Sequence, residues 1–365
     1  MKKFLTSVLF AIMLAVFVPA GVYAANATSS GGDNGSVVSG EIYVVNPLYE
    51  DVISLEDAKA ALQAIREENA KKAAAAAKSG KLSAQSADSD TPLTDHNAMA
   101  KVLRDGMKNR ETEIVYTVFE PDKSIVSEGE ISEEWLEEHT YGIYDLAVEH
   151  TGVPNEGDYL QWQNGYYYAS ASGKGSSAGY TFTITFTIVY YTTASEEEAV
   201  NAKVSSILSN LNVPESASAY EKVQAVYDYL CENVTYDYEH LGNDSYTTQF
   251  TAYGALNNGT SVCQGYAVAF YRLALELGVD NRVITGTSQN QNHAWNIARI
   301  GSRYYNLDST WDSSFAQQQS DYQYFLKTEN DFAGHTRGSD YSSSEFNEAY
   351  PMATSAFVPC GDTHT

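Results

Sequence analysis

Cysteine is scarce in this chain: Cys231, Cys263 and Cys360 are the only three in 365 residues. So few thiols cannot build a disulfide framework, and an odd number leaves at least one free within a single chain. No Cys-x-x-Cys pair and no histidine-rich run is present, so the sequence shows no metal site. Basic residues are also few, 22 against 47 acidic ones, for a formal net charge of -25. That balance excludes nucleic acid and anionic membrane surfaces as partners, because both would repel the chain. Long apolar runs are confined to Phe4 to Val18, which is too short for a comfortable transmembrane helix. With Lys2 and Lys3 before it and Val22-Tyr23-Ala24 after it, residues 1–24 read as a cleaved secretory signal. A secreted, extracellular protein without a transmembrane anchor is expected.

Hydrophobic residues make up 43% of the chain, enough for a full core without staples. Residues 25–91 read as a flexible lead rich in Gly, Ser and Asn, one solvated helix starting at Ser54, and a polar linker from Ser79 to Asp90. An N-terminal α+β domain of unassigned role is expected over 92–211. Its helix from Asp95 to Lys108 carries Met99, Val102, Leu103 and Met107 on one side, and a strand follows over Glu111 to Phe119. Ser132 opens another helix, with Trp135, Leu136, His139, Ile143 and Leu146 in its stripe. Asn164-Gly165 suggests a hairpin turn within Tyr159 to Ser170, and Tyr180 to Tyr190 alternates as a half-buried strand. Ser195 and Glu198 read as a capping box for a helix ending near Asn212, where the domain boundary is placed. The second domain spans 212–350, and 351–365 reads as a tail.

In the second domain, Ser218 and Glu221 form a further capping box, and Val223, Val226, Leu230 and Val234 line one helix face. Cys231 sits beside that stripe and reads as core. Cys263 opens a helix with Ala267, Phe270, Tyr271, Ala274 and Leu277 at helical spacing and Gly278 as its stop. A thiol in a first helical turn lies beside unpartnered backbone N–H groups and the positive end of the macrodipole, which favours a nucleophile.

Downstream, Arg282 to Thr287 reads as a strand and Ser288 to Asn292 as a polar loop. His293 to Ile300 and Arg303 to Asp308 then alternate as a hairpin turning at Gly301-Ser302. That turn puts Trp295 opposite Asp308 and makes His293 and Asp308 diagonal neighbours on one face, about 7 Å apart at the backbone. A carboxylate so placed can hold the imidazole in one tautomer and stabilise its charged form. Singly, His293 could be a satisfied sheet histidine and Asp308 a turn cap. Together with Cys263 they point to a thiol-based acyl-transfer site.

These residues lie in stretches that carry a family resemblance. They are Glu221-Lys222-Val223 through Tyr236-Asp237, Ala252 to Leu256, Val262-Cys263-Gln264-Gly265-Tyr266-Ala267, His293-Ala294-Trp295-Asn296, Leu307 to Asp312, and Tyr324-Phe325-Leu326. About a third of the chain thereby resembles the transglutaminase-like superfamily, in particular secreted bacterial members similar to the cytokinesis and kyphoscoliosis peptidase group.

The resemblance implies an α+β, papain-like core, with the cysteine-bearing helix packed on an antiparallel sheet that carries the histidine and aspartate. It implies Cys263 as nucleophile, His293 as general base and acid, and Asp308 as its partner. Tyr236 or Tyr253 would be the second oxyanion donor beside the Cys263 N–H, with a plain core role the alternative for either. Gln264, Trp295 and Trp311 read as cleft walls, the tryptophans alternatively as packing, and the resemblance assigns them no chemistry. No cofactor follows, and calcium is not implied, since no acidic loop has the required ligand spacing. The expected substrate is a protein or peptide, with cell-wall peptide as one possibility. Hydrolysis of peptide or isopeptide bonds through a Cys263 thioester is narrowly preferred over glutamine-to-amine crosslinking. A non-catalytic surface scaffold is the rival from a different class.

Overall fold

The computed structural model describes residues 22–30, 37–45, 91–243, 245–316 and 322–358, with isolated helical positions at 60, 63, 64 and 67. The apolar run of the expected signal, most of the expected linker, and Cys360 lie outside the described residues. Among the described residues no helix is long and apolar enough to cross a membrane.

The first unit is built on strands β1 (Val22–Ser30) and β2 (Val37–Val45), helix α1 (His96–Lys108) and strand β3 (Glu113–Glu120). Helices α2 (Glu133–His139), α3 (Tyr141–Ala147) and α4 (Asp158–Gln161) follow, then strands β4 (Asn164–Gly175) and β5 (Tyr180–Tyr190). The five strands form one antiparallel sheet in the order β1-β2-β4-β5-β3. Phe182, Ile184, Phe186 and Ile188 point alternately into a core shared with Met99, Leu103 and Met107 of α1 and with Trp135 and Leu136 of α2. The period of two on the strand and the helical spacing on α1 meet in one layer of side chains, and burying them is the main stabilising term of this unit.

The second unit begins with helix α5 (Ala194–Leu211) and helix α6 (Ala219–Asn233), followed by the short parallel pair β6 (Thr235–Tyr236) and β7 (Thr260–Ser261). Helix α7 (Cys263–Glu276), strands β8 (Asn281–Ser288), β9 (Gln291–Ile300) and β10 (Arg303–Leu307), helix α8 (Ser309–Ala316), strand β11 (His335–Arg337) and helix α9 (Ser344–Ala349) complete it. Its sheet runs β10-β9-β8-β11, all antiparallel. Helix α7 is buried along nearly its whole length, with Tyr266, Phe270, Tyr271 and Leu273 in a core shared with α6 and with Val283, Ile284, Ala294 and Ile297 of the sheet. The chain is therefore α+β, with a buried central helix against an antiparallel sheet.

Several expectations are corrected. The segment read as a flexible lead instead supplies β1 and β2, and β1 starts at Val22, inside the segment read as a signal. Val38 is fully buried against the first core, which gives that strand a reason to pair. Asn164-Gly165 is not a turn: the Asn164 amide donates to the carbonyls of Leu160 and Gln161 at the end of α4, and a bulge between Asn164 and Tyr166 starts a long strand. The capping box of α5 is Thr193 with Glu196, two residues before the expected pair.

The buried face of α5 (Val200, Val204, Ile207) and the side chains of Tyr159 and Trp162 belong to the second core, so its packing starts well before Asn212. Part of the expected C-terminal tail is packed too: Ala353 is buried, and Phe357 stacks on Tyr220 with ring centroids 4.9 Å apart. Where a polar loop was read over Ser288 to Asn292, β8 and β9 run on to a two-residue turn at Gln289 and Asn290, both with positive φ.

Candidate active site

Three elements converge at Cys263. Helix α7 starts there because Val262 is extended and its N–H bonds to the Gln249 carbonyl at 3.0 Å, while Ser261 Oγ bonds to the same carbonyl at 2.6 Å. Gly265 permits this close approach, since a Cβ there would lie 1.9 Å from Ser261 Oγ and 2.7 Å from the Thr251 carbonyl. The β6–β7 pairing sets Tyr236 beside Ser261, next to the helix start. Cys263 itself is partly exposed.

Strand β9 presents His293, and Asn296 on the same strand ties it to α7 by donating to the Ala267 carbonyl at 3.0 Å. The β9–β10 hairpin turns at Gly301-Ser302 with Ile300 facing Arg303 and Asn296 facing Leu307, in the register read from the sequence. Asp308 follows directly, at the point where the chain leaves β10 for α8. Its Oδ1 accepts the N–H groups of Thr310 at 3.0 Å and Trp311 at 3.1 Å. Its Oδ2 lies 2.7 Å from His293 Nε2. With Nε2 committed to Asp308, Nδ1 is the imidazole nitrogen left for the thiol of Cys263, whose charge acts on His293.

The electrostatics are those of a buried ion pair. Burial alone would lower the His293 pKa, but the charges of Asp308 and Cys263 and hydrogen bonds to both push it up to about 10. Burial alone would raise the Asp308 pKa, and the charge of His293 with hydrogen bonds from two imidazoles holds it well below the usual carboxylate range. The turn carrying Asp308 is braced from behind. The Tyr227 hydroxyl lies 2.6 Å from Asp312 Oδ2 and 2.8 Å from the Asp308 carbonyl, and Asp312 accepts the N–H groups of Gln323 and Tyr324.

The second imidazole on Asp308 belongs to His335, whose Nε2 is 2.9 Å from the same Oδ2. Sequence reading missed it. It stands on a three-residue strand beyond α8, without flanking periodicity, and only the pairing of β11 with β8 brings it to the site. His293, Asp308 and His335 form a donor set that a transition metal accepts, where none was read from the sequence. Two ligands on one zinc ion would stand about 3.4 Å apart, given bonds of about 2.1 Å. The observed 2.7 and 2.9 Å are instead hydrogen-bond lengths.

The remaining candidates separate. Tyr236 is close enough to Cys263 that, after burial, the charge of that thiol is the next cause pushing its phenol pKa up. Tyr253 stands before the π-helical turn Gly254–Asn258 and packs against the second core. Gln264 is buried and donates to the Trp162 carbonyl at 2.5 Å, so it joins the two units and is not a cleft wall. Trp295 is also buried, stacked on His293 with its Nε1 donating to Asn306 at 3.3 Å, and is packing. Trp311 is partly exposed, with its ring edge-on to His293 at 6.1 Å, and borders the site. Cys231 is buried, and burial raises its pKa strongly, as for an inert core thiol.

Comparison with known proteins finds similarity in the segment that holds the site. Residues 208–309 match the family model of the transglutaminase-like superfamily. The match includes Cys263, His293 and Asp308 and stops short of His335. Kyphoscoliosis peptidase of Mus musculus is 25% identical over 154 residues, 39% of this chain and 23% of that protein. The Homo sapiens protein of the same name is 24% identical over 159 residues, 40% of this chain and 23% of that protein. The chain thus spans about a quarter of the length of these curated relatives. The crystal structure of a TGase overlaps 45% of this chain and 48% of its own at 15% identity, with a TM-score of 0.30.

Proposed function

We propose that the protein is a secreted thiol enzyme that cleaves peptide or isopeptide amide bonds through a thioester on Cys263. One observation carries this reading: His293 is bonded at 2.7 Å to the buried carboxylate of Asp308, and its charge is coupled to that of a partly exposed thiol at a helix start. Cys263 Sγ attacks the carbonyl carbon, and the oxyanion is met by the Cys263 N–H and the Tyr236 hydroxyl. Tyr236 is favoured over Tyr253 by its place: the β6–β7 pairing sets it beside Ser261 at the helix start, close enough to feel the charge of Cys263. The C–N bond then breaks as His293 gives its proton to the leaving amine. Water next attacks the thioester while His293 takes a proton from it. The C–S bond breaks, the carboxylate leaves and the thiol site is restored.

Hydrolysis is preferred to crosslinking because both matched relatives are named peptidases. A substrate amine in place of the water would give the transferase. The substrate is a protein or peptide, and the signal-like residues 1–24 put cell-wall peptides within reach of an exported enzyme. Incubation with a casein-type protein and a fluorescent amine tests the reading. New fragments that disappear with Cys263→Ala are expected. Amine incorporation without cleavage would replace hydrolysis by transfer, and neither product would leave the chain a binding scaffold.

A further inference from the structure

Resting on that acyl-transfer reading, we propose that His335 is a positioning residue of the site: its Nε2–H holds Asp308 Oδ2 between two imidazoles and shares that oxygen between them. Asp308 has no freedom elsewhere, since Oδ1 is taken by the two N–H groups at the start of α8. Both Oδ2 contacts are short, 2.7 Å to His293 and 2.9 Å to His335. A carboxylate oxygen that accepts a second donor is a weaker partner for the first. His335 thereby limits how tightly Asp308 holds the proton on His293, and so how readily His293 releases it to a leaving amine.

The placement of His335 is built, not incidental. Its side chain is 1% exposed. Phe332 stacks on it at 3.9 Å, and the rings of Trp295, Tyr324 and Trp311 close round it at 5.2, 5.5 and 5.7 Å. Its strand docks on β8 with Ser288 facing His335, and a Cβ on Gly286 would strike the Thr336 carbonyl at 2.1 Å. A phenyl ring would fill the same aromatic box, so packing does not demand a histidine there. What a phenyl ring lacks is the bond to Asp308 and the 3.2 Å contact of Nδ1 with the Ala333 carbonyl. The titratable groups that face the pair are Asp308, Cys263, Tyr236 and Tyr324, with the Arg337–Glu329 ion pair at the far end of β11.

The test uses the full-length protein with His335→Phe, which keeps the ring, and His335→Gln, whose amide can restore a donor. Acetylation of Cys263 by p-nitroacetanilide, whose leaving amine must take its proton from His293, is followed across pH, with p-nitrophenyl acetate as the reference acyl donor and thermal melting as the check on folding. His335→Phe is expected to melt as the wild type does but to acetylate about tenfold more slowly, the loss that follows from removing one hydrogen bond to a charged group. The alkaline limb of its rate profile, where His293 gives up its proton, moves up by about half a pH unit or more. His335→Gln recovers most of the rate and moves the limb back. Should His335→Phe fail to fold, His335→Asn, whose amide falls short of Oδ2, takes its place with the same expected loss. Equal rates and limbs in wild type and Phe variant, or a Gln variant as impaired as Phe, overturn the proposal and leave His335 as packing. Wild-type Cys263 that takes up no acetyl group overturns the acyl-transfer reading, and this proposal with it.

Discussion

Asp308 bears more of the site than any other residue. It caps α8 with one oxygen and binds two imidazoles with the other, while only 1% exposed. Asp308→Asn strands His293 without its counter-charge, and breaking a buried pair from one side costs about 3–5 kcal/mol. The pH window follows from the direction of each shift. The His293 pKa is raised from 6.5 to about 10, so its contribution is complete below 6.5 and is lost as pH rises towards 10. The Asp308 pKa is depressed from 3.8, so its contribution is complete above that value and is lost only in strong acid. The melting difference between wild type and Asp308→Asn should therefore be greatest between about pH 4 and 6.5 and shrink from there to about pH 10. A difference that grows with pH through that range would contradict the ion pair.

Among elements, the first turn of α7 depends on what packs against it. Gly265→Ala forces a Cβ into Ser261 Oγ and the Thr251 carbonyl, and overpacking of this kind costs about 1–3 kcal/mol. The variant should melt lower and label more slowly with iodoacetamide at Cys263, because the loop and the helix start must part. Unchanged labelling would show that the helix start is not what places the thiol. Much at this scale was legible in the sequence. Strict alternation in β5, the stripes of α1 and α6, the Ser218–Glu221 capping box and the Gly301-Ser302 turn are local signals, and local signals fix local structure. Asn164-Gly165 misled because the same dipeptide that favours a tight turn also suits a bulge, and only the bonds from Asn164 to the end of α4 decide between them. His335 was illegible for a related reason. Its role rests on a strand pairing distant in sequence, and no pattern within its own segment encodes that.

In the whole molecule, the two cores are distinct yet bolted together. Asp158, fully buried in the first unit, holds Arg282 of β8 with two bonds of 2.8 and 2.9 Å and accepts the Val283 N–H at 2.7 Å. Gln264, next to Cys263, reaches the Trp162 carbonyl, and Gln163 accepts the Ala252 N–H at 3.1 Å. A fragment starting at residue 212 would lose these bonds together with α5, Tyr159 and Trp162. It should show no cooperative melt, whereas the full chain should. A fragment that melts cooperatively and labels at Cys263 like the full chain would show that the first unit is dispensable for the site. This linkage makes the β-sheet unit a support for the thiol helix.

The central claim is that Cys263 carries an acyl group during turnover, with His293 as its partner. Peptide mapping by mass spectrometry after brief reaction with p-nitrophenyl acetate tests it most directly. The acetyl group should appear on the peptide that contains Cys263, be absent in Cys263→Ala, and form much more slowly in His293→Ala. Acetylation of Cys231 or Cys360 instead, or no thioester on any of the three thiols, would contradict the account.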